Sequence, residues 1–268
     1  TIRLRLEPAL VGRRLERVEI SDPRLTRPFD PQPVAVELEG ELVSSLERRL
    51  ELIAEQGIDE TLVVDFTLDL ARLEPEEFAR QVLQPIGAEP IVAGSDFRFG
   101  RGRRGDLQLL ERLGFTVRPV ELLEEISSTR IRDLVRDGEV ESAAKLLGRP
   151  VEVEGTVVAG DARGGTLGFP TANLSVRPGL LVPGFGIYAG HALGHLAAVS
   201  IGTNPHYGGR ERRVEAHLLD FSEDLYGRAV VLELWRRLRD ELAFESEEQL
   251  IAQIASDVEE TRRAARPA

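Results

Sequence analysis

The chain has 268 residues, 42% hydrophobic and 30% charged, which is an ordinary globular composition with room for two modest domains. Its 34 basic and 46 acidic side chains leave a net charge of −12, which argues against generic nucleic-acid binding, since that needs local basic density. No apolar run approaches twenty residues and no signal peptide is apparent, so a membrane partner is not expected and a cytoplasmic location is.

Methionine is absent and the chain opens at Thr1, so Thr1 is not expected to be the natural start. Residues 1–12 predict a short amphipathic helix with Ile2, Leu6 and Leu10 on one face, and residues 15–20 alternate like a strand. Residues 21–33 are proline-rich and turn-like. A helix is predicted over 46–56, ended by Gly57. The run TLVVDF, residues 61–66, predicts a buried strand. A helix follows over 75–83 with proline in its first turn. A second strand, 90–93, runs into the loop GSDFRFGRGRRGD. A helix over 107–113 and a third strand over 115–120 complete an alternation that favours a parallel α/β sheet.

ISSTRIRDLVRDGEVESAAKLLGRP then predicts two helices, one capped by Ser127 or Ser128 and stopped by Gly138, the other stopped by Gly148. From residue 151 the character changes to short strands between Gly and Pro turns, as in VEVEGTVVAG, GIYAG, HLAAVSIG, RRVEAHLLDF and AVVLELWRRLR. Such spacing predicts a small antiparallel barrel or sandwich. A closing helix starts with Ser246 and Gln249 in a capping-box pattern and carries Leu250, Ile254 and Val258 on one face.

Cysteine is absent, which removes disulfides, thiolate metal sites, iron–sulfur clusters and cysteine nucleophiles. The single lysine, Lys145 in AAKLLG, cannot form a GK[ST] phosphate loop or a protein-kinase lysine. A phosphate site must therefore use backbone amides, arginine and a metal. GDARGGTLGFPTAN, residues 160–173, has that character: Gly160, Gly164, Gly165 and Gly168 let backbone N–H groups approach an anion. Thr171 and Asn173 are neutral oxygen donors two apart, so they share one side of an extended segment and suit Mg²⁺ balanced by substrate phosphates. A bare glycine cluster would read as a polar turn, and the adjoining FPTAN is what shifts the balance. Hydroxyls and free N–H groups at the start of ISSTRIR make a candidate anion site, with Arg132 adding charge, against the alternative of an ordinary helix cap.

GDARGGTLGFPTANL, GIYAG, VEAHLLDF, DLYG and LRDELAF together resemble the kinase domain of the bacterial bifunctional riboflavin kinase/FAD synthetase family. VAGSDFRFGRGRRGD and ISSTRIR resemble its adenylyltransferase module, and the resemblance runs from about residue 46 to about 265. It implies an α/β Rossmann-like nucleotidyltransferase module followed by a six-stranded β-barrel riboflavin kinase with a C-terminal helix. The kinase would convert riboflavin to FMN with Mg²⁺ and ATP, and the other module would adenylylate FMN to FAD. The resemblance makes Glu215 the catalytic base and gives Thr171 and Asn173 the Mg²⁺ and ATP phosphates. Gly160, Asp161, Arg163, Gly168, Phe169 and Pro170 would line the nucleotide site, with Asn204 in a neighbouring loop. Arg239 would position flavin or phosphate. In VEAHLLDF, Glu215, His217 and Leu219 share one strand face, and His217 reads as a packed histidine. In the adenylyltransferase, Ser127, Ser128, Thr129 and Arg132 would bind nucleotide phosphate, and Asp96, Phe97 and Phe99 would lie against flavin.

The family's adenylyltransferase opens with a GxFDGxHxGH pattern whose histidines stabilise charge on the α-phosphate. No histidine precedes His191 here, HALGH at 191–195 has the wrong spacing, and FDPQP at 29–33 carries Gln32 where the family has histidine. The stretch TIRLRLEPALVGRRLERVEISDPRLTRPFD is instead similar to the beginning of bacterial formamidopyrimidine-DNA glycosylases. It carries none of their catalytic residues, and residues 1–49 balance 9 basic against 9 acidic side chains, so no DNA-binding patch is formed. The expected domains are therefore a glycosylase-like segment over 1–45, a partial adenylyltransferase module over 46–148 and the kinase barrel over 149–268. The rival readings are a DNA-repair glycosylase fragment and a non-catalytic flavin-binding module.

Overall fold

The structure is a computed structural model that describes residues 41–267 apart from 88, 122, 124, 161, 162 and 204–211. The helix, strand and turn expected over residues 1–33 lie outside the described residues. The described residues divide into two compact units, one within 47–123 and one formed by 41–46 and 125–267.

In the first unit, α1 (Leu46–Glu55) forms where a helix is expected. TLVVDF does not form a strand: residues 61–67 are irregular, and Val63, Val64 and Phe66 are 45%, 43% and 78% exposed. Valine and phenylalanine favour a strand only where a neighbouring strand supplies hydrogen bonds and cover, and no described strand pairs with this run. Thr67 then caps α2 (Leu68–Arg72), a turn of helix with no clear sequence signal. The next helix is continuous but uneven: α3 (Pro75–Phe78) passes through a π-helical turn (Ala79–Leu83) into α4 (Gln84–Ile86). β1 (Ile91–Gly94) and β2 (Val117–Val120) pair in parallel, Ile91 opposite Val117, with α5 (Leu107–Arg112) between them in sequence. Asp106 caps α5 by accepting from the Leu109 amide at 2.8 Å. Ala79, Phe99 and Leu110 form the buried centre of this unit.

The second unit is built on a closed antiparallel barrel. Its strands are β3 (Val151–Val158), β4 (Ala172–Val176), β5 (Gly186–Ala192), β6 (His195–Thr203), β7 (Arg212–Leu218) and β8 (Ala229–Arg239), in the order β3-β4-β7-β6-β5-β8. Closure leaves no strand edge unpaired. Val153, Val199, Ile201, Val214, Leu232 and Leu234 fill the interior, as the period-2 pattern of these strands requires.

α6 (Ser128–Arg136) and α7 (Val140–Leu147) belong to this unit. Ile131, Val135, Val140 and Ala143 share one core with the barrel, and the Gly184 amide donates to the Val135 carbonyl at 3.1 Å. The compact boundary thus falls near residue 123, whereas the change of composition suggests 148/149: helix-to-strand periodicity changes there, but apolar contacts run across it. Residues 41–45 join the same unit. The Leu42 amide donates to the Gly179 carbonyl at 2.7 Å, Val43 packs on the barrel core, and Ser45 binds Glu154 through its amide at 2.9 Å.

α9 (Glu247–Arg263) is capped by Ser246 and packs on β5 and β6. Its anchor is Asp257, which accepts Arg239 Nε at 2.9 Å and Arg239 Nη2 at 2.6 Å. Beyond α9, Arg266 clamps Glu233 at 2.9 and 2.7 Å. Burial alone would raise the Glu233 carboxyl, but the hydrogen bonds from Arg266 and Trp235 outweigh it and hold the group below its ordinary value. Among the described residues no helix is long and apolar enough to cross a membrane.

The Arg239–Asp257 side chains are only 18% and 6% exposed, so removing one strands the other. Asp257→Ala should destabilise the second unit by about 3–5 kcal/mol. Asp240→Ala, at a pair whose aspartate is 80% exposed, should cost about 0–1 kcal/mol. Urea midpoints of the two variants check the contrast.

Candidate active site

β4 and β7 pair antiparallel, with Ala172 opposite Ala216, Asn173 opposite Glu215 and Leu174 opposite Val214. Val214, Ala216 and Leu218 point into the barrel, so Arg213, Glu215 and His217 share its half-buried outer face. Each of the three takes hold of a residue in the stretch 169–173. Arg213 Nε donates to Asn173 Oδ1 at 3.1 Å and also pairs with Glu215. Thr171 Oγ1 donates to Glu215 Oε2 at 3.3 Å. His217 Nδ1 lies 2.8 Å from the Pro170 carbonyl, so that nitrogen carries the proton, and the imidazole meets the Phe169 ring edge-on at 5.5 Å. The Glu215 and Arg213 side chains are 24% and 26% exposed, which leaves the carboxylate reachable.

The glycine-rich loop closes over this cluster. Gly160 lies so close to Asn173 that a Cβ there would overlap the amide. α8 (Arg163–Thr166) is a single turn whose Gly164 carbonyl accepts the Phe169 amide at 2.8 Å. A Cβ on Gly164 would run into the Phe169 carbonyl, and Gly168 takes a φ of +87° to bring the chain back. The predicted residues Gly160, Gly164, Gly168, Phe169, Pro170, Thr171, Asn173 and Glu215 are thus brought together. Asp161 and Asn204 lie outside the described residues, and Arg163 begins α8.

Other expected site residues fall elsewhere. Arg239 does not join the cluster: its guanidinium is taken up by Asp257 and the Asp240 carbonyl. Ser127 Oγ accepts the Arg130 amide at 3.2 Å as an ordinary helix cap. Arg132 Nε donates to the Glu41 carbonyl at 2.8 Å, while Ser128 and Thr129 are exposed. Phe99 is 6% exposed and stacks on Phe97 at 5.7 Å and against Phe78 at 5.6 Å, so it is a core residue of the first unit. Asp96 beside it is exposed. The loop's Arg104 is held by Glu74 at 3.0 and 2.9 Å.

Arg213 was not among the predicted residues. The alternation that places Glu215 and His217 on one face of β7 includes Arg213 two positions earlier, so the signal was present.

Two family models match this chain, riboflavin kinase over residues 147–265 and FAD synthetase over residues 21–132. A bifunctional riboflavin kinase/FMN adenylyltransferase of Listeria monocytogenes is 35% identical over 250 residues, 87% of this chain and 80% of that protein. The chain belongs to the bifunctional riboflavin kinase/FMN adenylyltransferase family. The Escherichia coli K12 relative of the same name is 37% identical over 246 residues, 85% of this chain and 78% of that one. A crystal structure of a macrolide-efflux protein from Streptococcus pneumoniae is 34% identical and superposes with a TM-score of 0.77, covering 83% of this chain and 76% of that one. The riboflavin kinase match covers all six barrel strands, so the barrel unit is the riboflavin kinase and uses flavin and ATP. The FAD synthetase match starts at residue 21, ahead of the point near residue 46 where the motif resemblance begins and inside the glycosylase-like stretch.

The loop geometry separates two neighbouring glycines. Gly164→Ala should destabilise the kinase unit by about 1–3 kcal/mol through overlap with backbone. A Cβ at Gly165 meets nothing within 4 Å, so Gly165→Ala should be neutral or stabilising by about 0.5 kcal/mol. Thermal unfolding of both variants checks this.

Proposed function

We propose that this chain transfers the γ-phosphoryl group of ATP to the riboflavin 5′-hydroxyl at the Thr171–Asn173–Glu215 cluster. The observation that carries the reading is the β4–β7 register, which sets a carboxylate beside two neutral oxygen donors. Glu215 takes the proton from the 5′-hydroxyl as its oxygen bonds to the γ-phosphorus. The bond to the β,γ-bridging oxygen breaks, and ADP and FMN are the products. Catalysis of this kind is mainly positioning and charge stabilisation.

The donor set fits Mg²⁺. Thr171 Oγ1 and Asn173 Oδ1 are neutral oxygens, and the Glu215 carboxylate lies against Thr171. Thr171 and Asn173 would hold the ion, which when bound supplies charge neutralisation for the ATP phosphates. Gly160 and Gly164 support this assignment, because side chains there would fill the space over Asn173 and Phe169. His217 fixes the carbonyl just before Thr171 and so orients that hydroxyl.

We further propose that adenylyl transfer by this chain is weak. No histidine precedes His191, so two donors that would stabilise charge at the α-phosphate have no counterpart. Such donors are each worth a factor of about 10²–10³. Ser127 is engaged as a cap and Arg132 is engaged with Glu41, so neither replaces them.

One chromatographic experiment tests both statements. Riboflavin and Mg-ATP should yield FMN with little FAD, and Glu215→Gln should slow FMN formation by roughly 10²–10⁴. FMN formation by Glu215→Gln at the unaltered rate would remove Glu215 from the mechanism. FAD appearing as fast as FMN would show that other groups serve the α-phosphate.

A further inference from the structure

We infer that Arg213 is a binding residue for the ATP polyphosphate, held by Asn173 and Glu215 until nucleotide arrives. The inference rests on the reading of Thr171, Asn173 and Glu215 given above.

The polyphosphate needs cationic partners, and the chain has one lysine, Lys145, exposed on α7. The need therefore falls on arginine. Arg212, next in sequence, is directed away from the site: its Nη1 donates to the Val182 and Pro183 carbonyls, and its guanidinium lies 5.4 Å from the Phe185 ring centroid. Arg239 is closed by Asp257. Among these, Arg213 is the guanidinium that touches the oxygens of the cluster itself.

Its contacts are those that a bound cation would replace. Arg213 Nε reaches Asn173 Oδ1 and the Glu215 carboxylate, so it stands where positive charge is wanted while nucleotide is absent. An amide oxygen that turns to a hard cation no longer accepts from Arg213. The guanidinium remains charged under all conditions, and its five donors leave it able to reach phosphate oxygens as well. Phosphate oxygens meet its planar fork better than a single amide oxygen does. The side chain is 26% exposed, so the turn needs no rearrangement of the barrel.

Full-length protein would be titrated calorimetrically with Mg-AMPPNP, a non-transferable ATP analogue, using wild type, Arg213→Ala, Arg213→Lys, Asn173→Ala and Glu215→Gln. The binding event weakened by Asn173→Ala marks the kinase site. Arg213→Ala should weaken that event roughly 10- to 100-fold, the effect of losing a charged hydrogen-bond partner. It should leave riboflavin affinity, read from flavin fluorescence, unchanged. Steady-state FMN formation should lose more in kcat/KM for ATP than in kcat, and Arg213→Lys should recover part of the loss. Thermal unfolding of both Arg213 variants confirms that they fold. Mg-AMPPNP binding by folded Arg213→Ala at wild-type strength, or a loss in kcat alone, would overturn the inference. If Asn173→Ala leaves binding intact and Glu215→Gln keeps its turnover, the underlying reading fails instead.

Discussion

The proposed kinase site depends on one register, the antiparallel pairing of β4 with β7. It sets Asn173 directly opposite Glu215 and places Arg213 and His217 one repeat to either side. From those three outward positions β7 grips Asn173, Thr171 and Pro170 in turn. A slip of one residue would send Arg213, Glu215 and His217 into the barrel and bring Val214 and Ala216 out. The buried face that forbids this slip is the barrel core itself, so packing and chemistry are enforced by the same alternation.

The rest of the second unit keeps that register rigid. Closure of six strands removes any free edge along which β4 or β7 could shift. The helices α6 and α7 complete the core from one side, and α9 is fastened through Arg239 and Asp257. Arg239 thus belongs to the frame that holds the site. The difference from the expected substrate contact has a simple origin: an arginine at the end of a strand gives no sequence sign of whether a carboxylate eighteen positions later will reach it.

Much of this was legible in the residues. The period-2 runs from 151 onward predicted the barrel, and Ser127 and Ser246 marked helix starts through their capping chemistry. In FPTAN, Thr171 and Asn173 stood out as oxygen donors at spacing two, whereas Glu215 in VEAHLLDF was marked only by the family resemblance. What escaped detection depends on tertiary pairing. TLVVDF has the composition of a strand but no described neighbour, and Phe99 in GSDFRFG turned inward to Phe78. The helices 128–136 and 140–147 look like part of the first module by periodicity, yet their apolar faces complete the barrel core.

The central claim is that Asn173 and Glu215 work as one unit through the β4–β7 pairing. A double-mutant cycle on kcat/KM for FMN formation, built from Asn173→Ala and Glu215→Gln, tests it most directly. The account predicts that the double variant is little worse than the poorer single variant, with the product of the two separate losses exceeding the observed loss by at least about tenfold. Losses that multiply would show two independent residues on neighbouring strands, and would contradict it.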